Sequence, residues 1–255
     1  MRHQTFTTFT LLLLLLAGCG GEAAKHAQAK PPAPPRLPER TCTAGAFRHL
    51  GSPKVAYAAV VRSRAAVSSQ PGGRVFARYG RLNQNGVPTI FSIRGVRVDR
   101  LCHPATYLVQ IPRRPNGATG WVAARQVAVE PIHTRILVDL SQKRVTLYRS
   151  GKRVLSATAA IGSSATPTPT GSFYVNQRLI PTDPHGPFGP GAVGISAFSD
   201  VLTGWTQGGP IAIHGTNEPW SIGKAVSNGC IRLPNATLRK VFAQAFSGTP
   251  VLIRN

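Results

Sequence analysis

Residues 41–255 predict a mainly β protein made of two successive modules, and three observations carry that reading. From Lys54 to about Val129, short β-type runs alternate with Pro-Gly, Asn-Gly and Pro-Asn-Gly punctuation. A second series of such runs begins near Arg135. A single stretch, Ala236 to Phe246, has helical periodicity. The 255 residues leave room for two modest cores of about 100 to 150 residues each.

In the first module the predicted strands are Val55–Val61, Arg74–Ala77, Thr89–Ile93, Tyr107–Ile111 and Gly120–Val122. The closing segment, Tyr107-Leu-Val-Gln-Ile, then Pro115-Asn-Gly, then Gly120-Trp-Val-Ala-Ala-Arg-Gln-Val127, resembles the last strands of a bacterial SH3-like domain. That resemblance implies a small SH3-like β module that binds wall or peptide, or a spacer that orients its neighbour.

In the second module, Ile136–Leu140 and Arg144–Tyr148 flank a turn at Ser141-Gln142-Lys143, and Ser150-Gly151 supplies the next reversal. Val154–Ile161, Ser172–Val175 and Ile211–His214 continue the β pattern, with Thr166-Pro-Thr-Pro-Thr-Gly171 as a turn-rich break. Leu238, Val241, Phe242 and Ala245 share a helical face, with Asn235 as the expected N-cap and Gly248 as the stop. Val251–Ile253 closes the chain as a strand. Pro181 to Gly209, rich in Gly and Pro, reads as a loop, either a lid or a fixed structural loop.

The N-terminus supplies an address. Arg2 and His3 precede an apolar run from Phe9 to Leu16, too short for the roughly 20 residues of a membrane span and suited to a secretory signal over residues 1–18. Leu16-Ala17-Gly18-Cys19 resembles a bacterial lipobox, which implies lipidation of Cys19 and attachment to the membrane. An ordinary signal cleaved near Ala17 is the alternative. Residues 19–40 then form a Pro- and Ala-rich tether, followed by the SH3-like module over 41–130 and the second module over 131–255.

Thirty basic residues against 8 acidic ones give a formal charge of +22, spread along the whole chain. Such a field favours anionic surroundings. For an exported protein these are lipid headgroups and acidic wall polymers, so nucleic acid is not an expected partner. Export also exposes thiols to oxidation. With Cys19 lipidated, three cysteines remain, and Cys42 and Cys102 flank one module. A bridge between them closes a loop of about 60 residues, worth roughly 4 kcal/mol in the chain-entropy model. Cys230 is left as a free thiol, either inert or reactive.

Its neighbourhood favours chemistry. Ile211-Ala-Ile-His214-Gly215 brings a histidine to a strand end, and Ser227-Asn228-Gly229-Cys230-Ile231-Arg232 follows. A thiol nucleophile needs a nearby base, which the imidazole supplies. Asp139, Asp183, Asp200 and Glu218 are the acids available to orient it, none at a telling spacing, and a backbone carbonyl or Asn228 is the alternative. The amides of Gly229 and Cys230 are candidates for an oxyanion hole. Trp205 and Trp220 are candidates for lining a groove, or for the core. A metal site from His185, His214 and Cys230 matches no compact ligand spacing.

His214-Gly215 and Ser227-x-Gly229-Cys230-Ile231-Arg232, with 15 residues between His214 and Cys230, resemble the signature of the L,D-transpeptidase (YkuD-like) catalytic domain. Ile136–Tyr148, Thr166–Gly171 and Pro184–Gly194 also resemble that family, over roughly 132–255. The resemblance implies a β-rich fold with one packed helix and no metal or organic cofactor. It implies attack by Cys230 on peptidoglycan tetrapeptide stems, with His214 as general base and acid, 3→3 cross-links as product and inhibition by carbapenems. Some members instead attach a protein lysine or hydrolyse the bond. Gly215, Ser227 and Gly229 would shape the site, and Arg232 would contact substrate or buttress it. The family usually has histidine where this chain has Asn228, which leaves a weak or inactive wall-binding lipoprotein as the alternative.

Overall fold

β-branched and aromatic runs become pleated strands nearly wherever the pattern predicts them, and the exceptions have identifiable causes. The computed structural model describes residues 42–255; the signal, Cys19 and the tether lie outside the described residues. The first sheet contains β1 (Phe47–His49), β2 (Ala56–Val61), β3 (Arg64–Ser68), β4 (Val75–Gly80), β5 (Ile90–Val98), β6 (Pro104–Gln110), β7 (Thr119–Ala123) and β8 (Val127–Ile132). Its order is β4-β3-β7-β6-β5-β2-β8, with β1 added on β5. Every pairing in it is antiparallel.

Three of these strands escaped the pattern. β3 reads Arg-Ala-Ala-Val-Ser, and alanine carries little strand preference. β1 is three exposed residues paired with β5, with the Phe47 ring edge-on to Trp121. β8 contains Glu130 and Pro131, which suit its place at the end of the strand order, where one edge needs no partner.

The second module contains β9 (Thr134–Asp139), β10 (Arg144–Arg149), β11 (Lys152–Thr158), β12 (Ile161–Gly162), β13 (Gly171–Leu179), β14 (Ala192–Phe198), β15 (Pro210–His214), β16 (Ala225–Ser227) and β17 (Ile231–Arg232). The helix α1 (Asn235–Phe242), the one α-helix among the described residues, and the strand β18 (Pro250–Arg254) complete it. The order is β11-β10-β9-β18-β13-β14-β15-β17, while β12 and β16 pair separately. Two neighbours in the large sheet run parallel, β9 with β18 and β15 with β17. Ile136, Leu147, Val193, Ile213 and Ile231 pack with Leu238 and Val241 of the helix into one buried core.

Two expectations are corrected here. Pro181–Gly209 is not loop throughout: β14 lies inside it, and residues 191–197 are all buried. A strand covered on both faces shows no alternation, and Ala192-Val-Gly-Ile-Ser-Ala carries none. Asn235 is not the N-cap: Pro234 holds that position, and the Asn235 side-chain oxygen accepts from Thr216 N at 2.8 Å. The helix ends at Phe242, earlier than its periodicity suggests.

Polar bonds join the two sheets. Gln110 Nε2 donates to Ser172 O at 2.8 Å, and the fully buried Tyr174 donates its hydroxyl to Ile90 O at 3.0 Å. Asn83 and Asn85 both donate to Gln177 Oε1. Asn116 exchanges two bonds with the backbone of Phe198, and Arg114 donates to Ser199 O and Gly208 O. The first sheet thereby holds both ends of the 199–209 loop that leads into β15.

Candidate active site

β15 and β17 are adjacent parallel strands, with Ile213 opposite Ile231 and His214 opposite Arg232. Cys230 immediately precedes β17, so this register brings the thiol beside β15, where the Ala212 amide favours its anion. The strands themselves are apolar: Ile211, Ile213 and Ile231 are at most 1% exposed. Their burial fixes the backbone from which the two reactive side chains project.

The turn that carries Cys230 is bonded at nearly every residue. Ser227 Oγ donates to Cys230 O at 2.6 Å and accepts from Gly229 N at 3.2 Å. Thr168 Oγ1 donates to Gly229 O at 2.8 Å and accepts from Gly162 N at 2.9 Å. Thr166 Oγ1 and Ser163 N both donate to Ser227 O. Gly229 has φ of +105°, a conformation that side-chain-bearing residues avoid, and a Cβ there would lie 3.0 Å from Ile211 Cδ1. The Thr-Pro-Thr-Pro-Thr segment thus acts as a clamp on the cysteine turn. In the sequence the segment reads as a turn-rich break that also resembles the family, and its three threonines in a proline-stiffened run are the signal for the clamp.

His214 is 4% exposed, and its Nδ1 lies 2.5 Å from Gly215 O. A carbonyl can only accept, so Nδ1 carries the proton and Nε2 keeps the basic lone pair. Gly215 follows the histidine for a steric reason as well: a Cβ there would fall 2.3 Å from Asn235 Oδ1. The Phe188 ring packs edge-on to the imidazole at 5.0 Å between centroids. Neither Phe188 nor Asn235 was singled out as part of the site by its pattern.

The orienting acceptor is therefore the Gly215 carbonyl. Asn228 is exposed. Asp139 is engaged with Ser141, Gln142 and Arg254, Asp183 with His185 N, and Asp200 with Asn116. Glu218 pairs with Arg232, so this guanidinium buttresses the crossover between the strands. Gly229 N is already engaged with Ser227 Oγ, which corrects its expected place in an oxyanion hole.

Burial lowers the His214 pKa from 6.5 to about 4; the Gly215 bond opposes this and the Arg232 charge adds to it. Burial likewise pushes the Cys230 thiol up, against the Ala212 amide and the Arg232 charge. At neutral pH the pair is a thiol and a neutral imidazole. Cys230 keeps part of its surface, and it is the free cysteine among the described residues, since Cys42 and Cys102 form the expected disulfide with Cα atoms 5.2 Å apart. Trp205 and Trp220 are 54% and 59% exposed, so neither is a core residue, and Lys224 Nζ lies 5.1 Å from the Trp220 ring. Among the described residues, no three His, Cys, Asp or Glu side chains gather as a metal site.

The domain is β-rich and brings a free cysteine beside a strand that ends in a buried histidine. Residues 133–253 match the family model of the L,D-transpeptidase catalytic domain, YkuD. The YkuD protein of Bacillus licheniformis is 36% identical over 141 residues, covering 52% of this chain and 78% of that relative. That of Bacillus subtilis is 38% identical over 123 residues, covering 48% of this chain and 66% of the relative. The chain belongs to the L,D-transpeptidase (YkuD) family. Among solved structures, an L,D-transpeptidase from Mycobacterium smegmatis aligns with a TM-score of 0.41 at 16% identity, over 77% of this chain and 99% of that one. L,D-transpeptidase 3 from Mycobacterium tuberculosis, solved with a faropenem-derived adduct, aligns with a TM-score of 0.38 at 20% identity, over 54% and 73%.

Proposed function

We propose that this chain is an exported peptidoglycan L,D-transpeptidase that forms 3→3 cross-links through a Cys230 thioester and is held at the membrane by lipid on Cys19. The observation that carries the reading is the β15–β17 register, which sets Cys230 beside the strand that ends in His214, with Nδ1 of the imidazole committed to the Gly215 carbonyl. Nε2 accepts the thiol proton as sulfur attacks the carbonyl of the stem's third residue. The C–N bond to the terminal D-Ala breaks, and the imidazolium returns the proton to the departing amine. An amine from a neighbouring stem then attacks the thioester, His214 takes the proton that this amine loses, the C–S bond breaks, and the imidazolium returns that proton to the departing Cys230 sulfur. The Cys230 amide is the donor proposed for the oxyanion.

The neutral resting pair suits this order of events. A thiol that ionises only as it attacks is protected from oxidants outside the cell, because the thiolate is the reactive form. The first β module, braced against the loop before β15, would present wall substrate to the site.

The experiment is incubation of the purified chain with disaccharide-tetrapeptide, followed by mass analysis of products beside the Cys230→Ala variant. Dimers joined 3→3 and absent from the variant are expected. Tripeptide without dimer would assign water as acceptor, and no Cys230-dependent product would overturn the reading.

A further inference from the structure

Gln177, Gly194 and Ala212 form a row across β13, β14 and β15, each directly opposite the next. Opposed residues of antiparallel strands project to the same face of a sheet, and so do residues two apart on one strand. The row therefore shares its face with His214, and at its end the Ala212 amide bonds Cys230. Gly194 leaves the middle of the row open and the Gln177 side chain fills it: a Cβ on Gly194 would lie 2.6 Å from Gln177 Cγ and 3.1 Å from Nε2. Neighbouring strands lie about 4.8 Å apart, so Nε2 stands about one strand from Ala212. Gln177 also lines a cavity of about 360 Å³, together with Asn83, Phe198, Gln207 and Pro210. Pro210 precedes Ala212 by two residues on the same face, so this cavity adjoins the row.

The first module fixes which end of the carboxamide faces out. Asn83 Oδ1 accepts from Asn85 N and Val87 N, at 2.9 and 3.3 Å, which leaves only its amide hydrogens for Gln177. Asn85 Oδ1 accepts from Gln207 Nε2 at 3.0 Å, with the same result. Both asparagines donate to Gln177 Oε1, at 2.9 and 2.8 Å. Nε2 keeps its hydrogens: among the described residues it donates to no acceptor, and it is not one of the buried unpaired atoms. A donor held still on the catalytic face and open to solvent serves an acceptor brought from outside.

We infer that Gln177 is a substrate-contacting residue whose Nε2 donates to a main-chain carbonyl of the stem peptide, and that Asn83 and Asn85 are positioning residues supplied by the first module. The inference rests on the transpeptidase reading. Gln177 and its bonded partners are uncharged, which matches a neutral carbonyl and offers a carboxylate no ion pair. An extended peptide rises about 3.3 Å per residue, so the carbonyl contacted lies within about two residues of the bond attacked by Cys230.

The test is steady-state turnover of disaccharide-tetrapeptide by the full-length chain, followed as D-Ala release, beside the rate of Cys230 acylation by a carbapenem. Gln177→Glu keeps the shape and the acceptor for both asparagines and puts oxygen where Nε2 stood. Asn83→Asp combined with Asn85→Asp keeps the acceptors for Asn85 N, Val87 N and Gln207, and turns the carboxamide over by removing the donors to Oε1. Each should raise KM about tenfold with kcat nearly unchanged, the loss of one hydrogen bond made equally before and during reaction. Carbapenem acylation should stay within about twofold and the melting temperature should hold, since Cys230 and His214 are untouched. If Gln177→Glu unfolds, the double variant carries the result. An unchanged KM in the folded variants, or a fall in carbapenem acylation as large as the fall in kcat/KM, would overturn the inference and leave the transpeptidase reading standing. A wild type that the carbapenem modifies but that releases no D-Ala would overturn that reading and the inference with it.

Discussion

The two large sheets are alike in size and opposite in wiring, and the wiring decides where chemistry sits. In the first sheet every neighbour is antiparallel, a pairing that needs no crossover connection. The second contains two parallel neighbours, and a parallel partner requires a crossover of a dozen or more residues. Between His214 and Ile231 that crossover is Gly215–Cys230, 16 residues long. It carries the orienting carbonyl, Glu218, Ser227, Gly229 and the thiol. The spacing of histidine and cysteine is thus a topological length as much as a catalytic signature. The reactive groups sit on a crossover whose turn is held at several points by side-chain bonds.

Among changes that leave Cys230 and His214 in place, the largest expected effect comes from breaking the clamp on that crossover. Thr168→Val removes the hydroxyl that joins Gly162 N to Gly229 O and leaves both groups buried and unpaired. The expected cost is about 2–4 kcal/mol of stability by urea denaturation, with Cys230 acylation slowed at least about tenfold. An equivalent loss of one side-chain bond in the antiparallel sheet should leave acylation unchanged.

Next comes the imidazole. Its folded pKa of about 4 lies below its ordinary 6.5, so the unfolded chain binds the proton more readily between those values. Stability from His214 is complete above about pH 6.5 and is lost as pH falls toward 4, a change of roughly 3 kcal/mol. Denaturation at several pH values, beside His214→Gln, checks both sign and size: the variant should lack this part of the acid destabilisation.

A smaller effect is expected where the modules meet. Arg114→Ala frees Ser199 O and Gly208 O, and acylation should slow about three- to tenfold with little change in melting temperature, measured by stopped-flow mixing with a carbapenem. The smallest effect is expected from Asn228→His. The residue is exposed and the Gly215 carbonyl already orients the imidazole, so the rate should stay within about twofold.

Much of this was legible in the residues. Alternation in Ile136–Leu140 and Arg144–Tyr148, the Ser150-Gly151 reversal and the pairing of Cys42 with Cys102 all follow from local pattern or cysteine count. β14 was hidden because burial on both faces erases the periodicity that marks a strand. Parallel pairing was equally invisible, since neither strand of a pair encodes its neighbour's direction. Asn235 looked like a cap because capping and loop bracing use the same side-chain oxygen, and only the packing of Thr216 against it decides between them. His214 and Cys230 were identifiable as residue types, whereas the carbonyl that orients the one and the threonines that hold the turn of the other are tertiary facts.

In the proposed function this crossover delivers a nucleophile served by a base. Intact-protein mass spectrometry of the chain with a carbapenem, followed over time, tests it most directly. One adduct is expected, on Cys230, absent in Cys230→Ala and formed about 10² to 10⁴ times more slowly in His214→Ala. An adduct elsewhere, or one formed at the same rate without the imidazole, would contradict it.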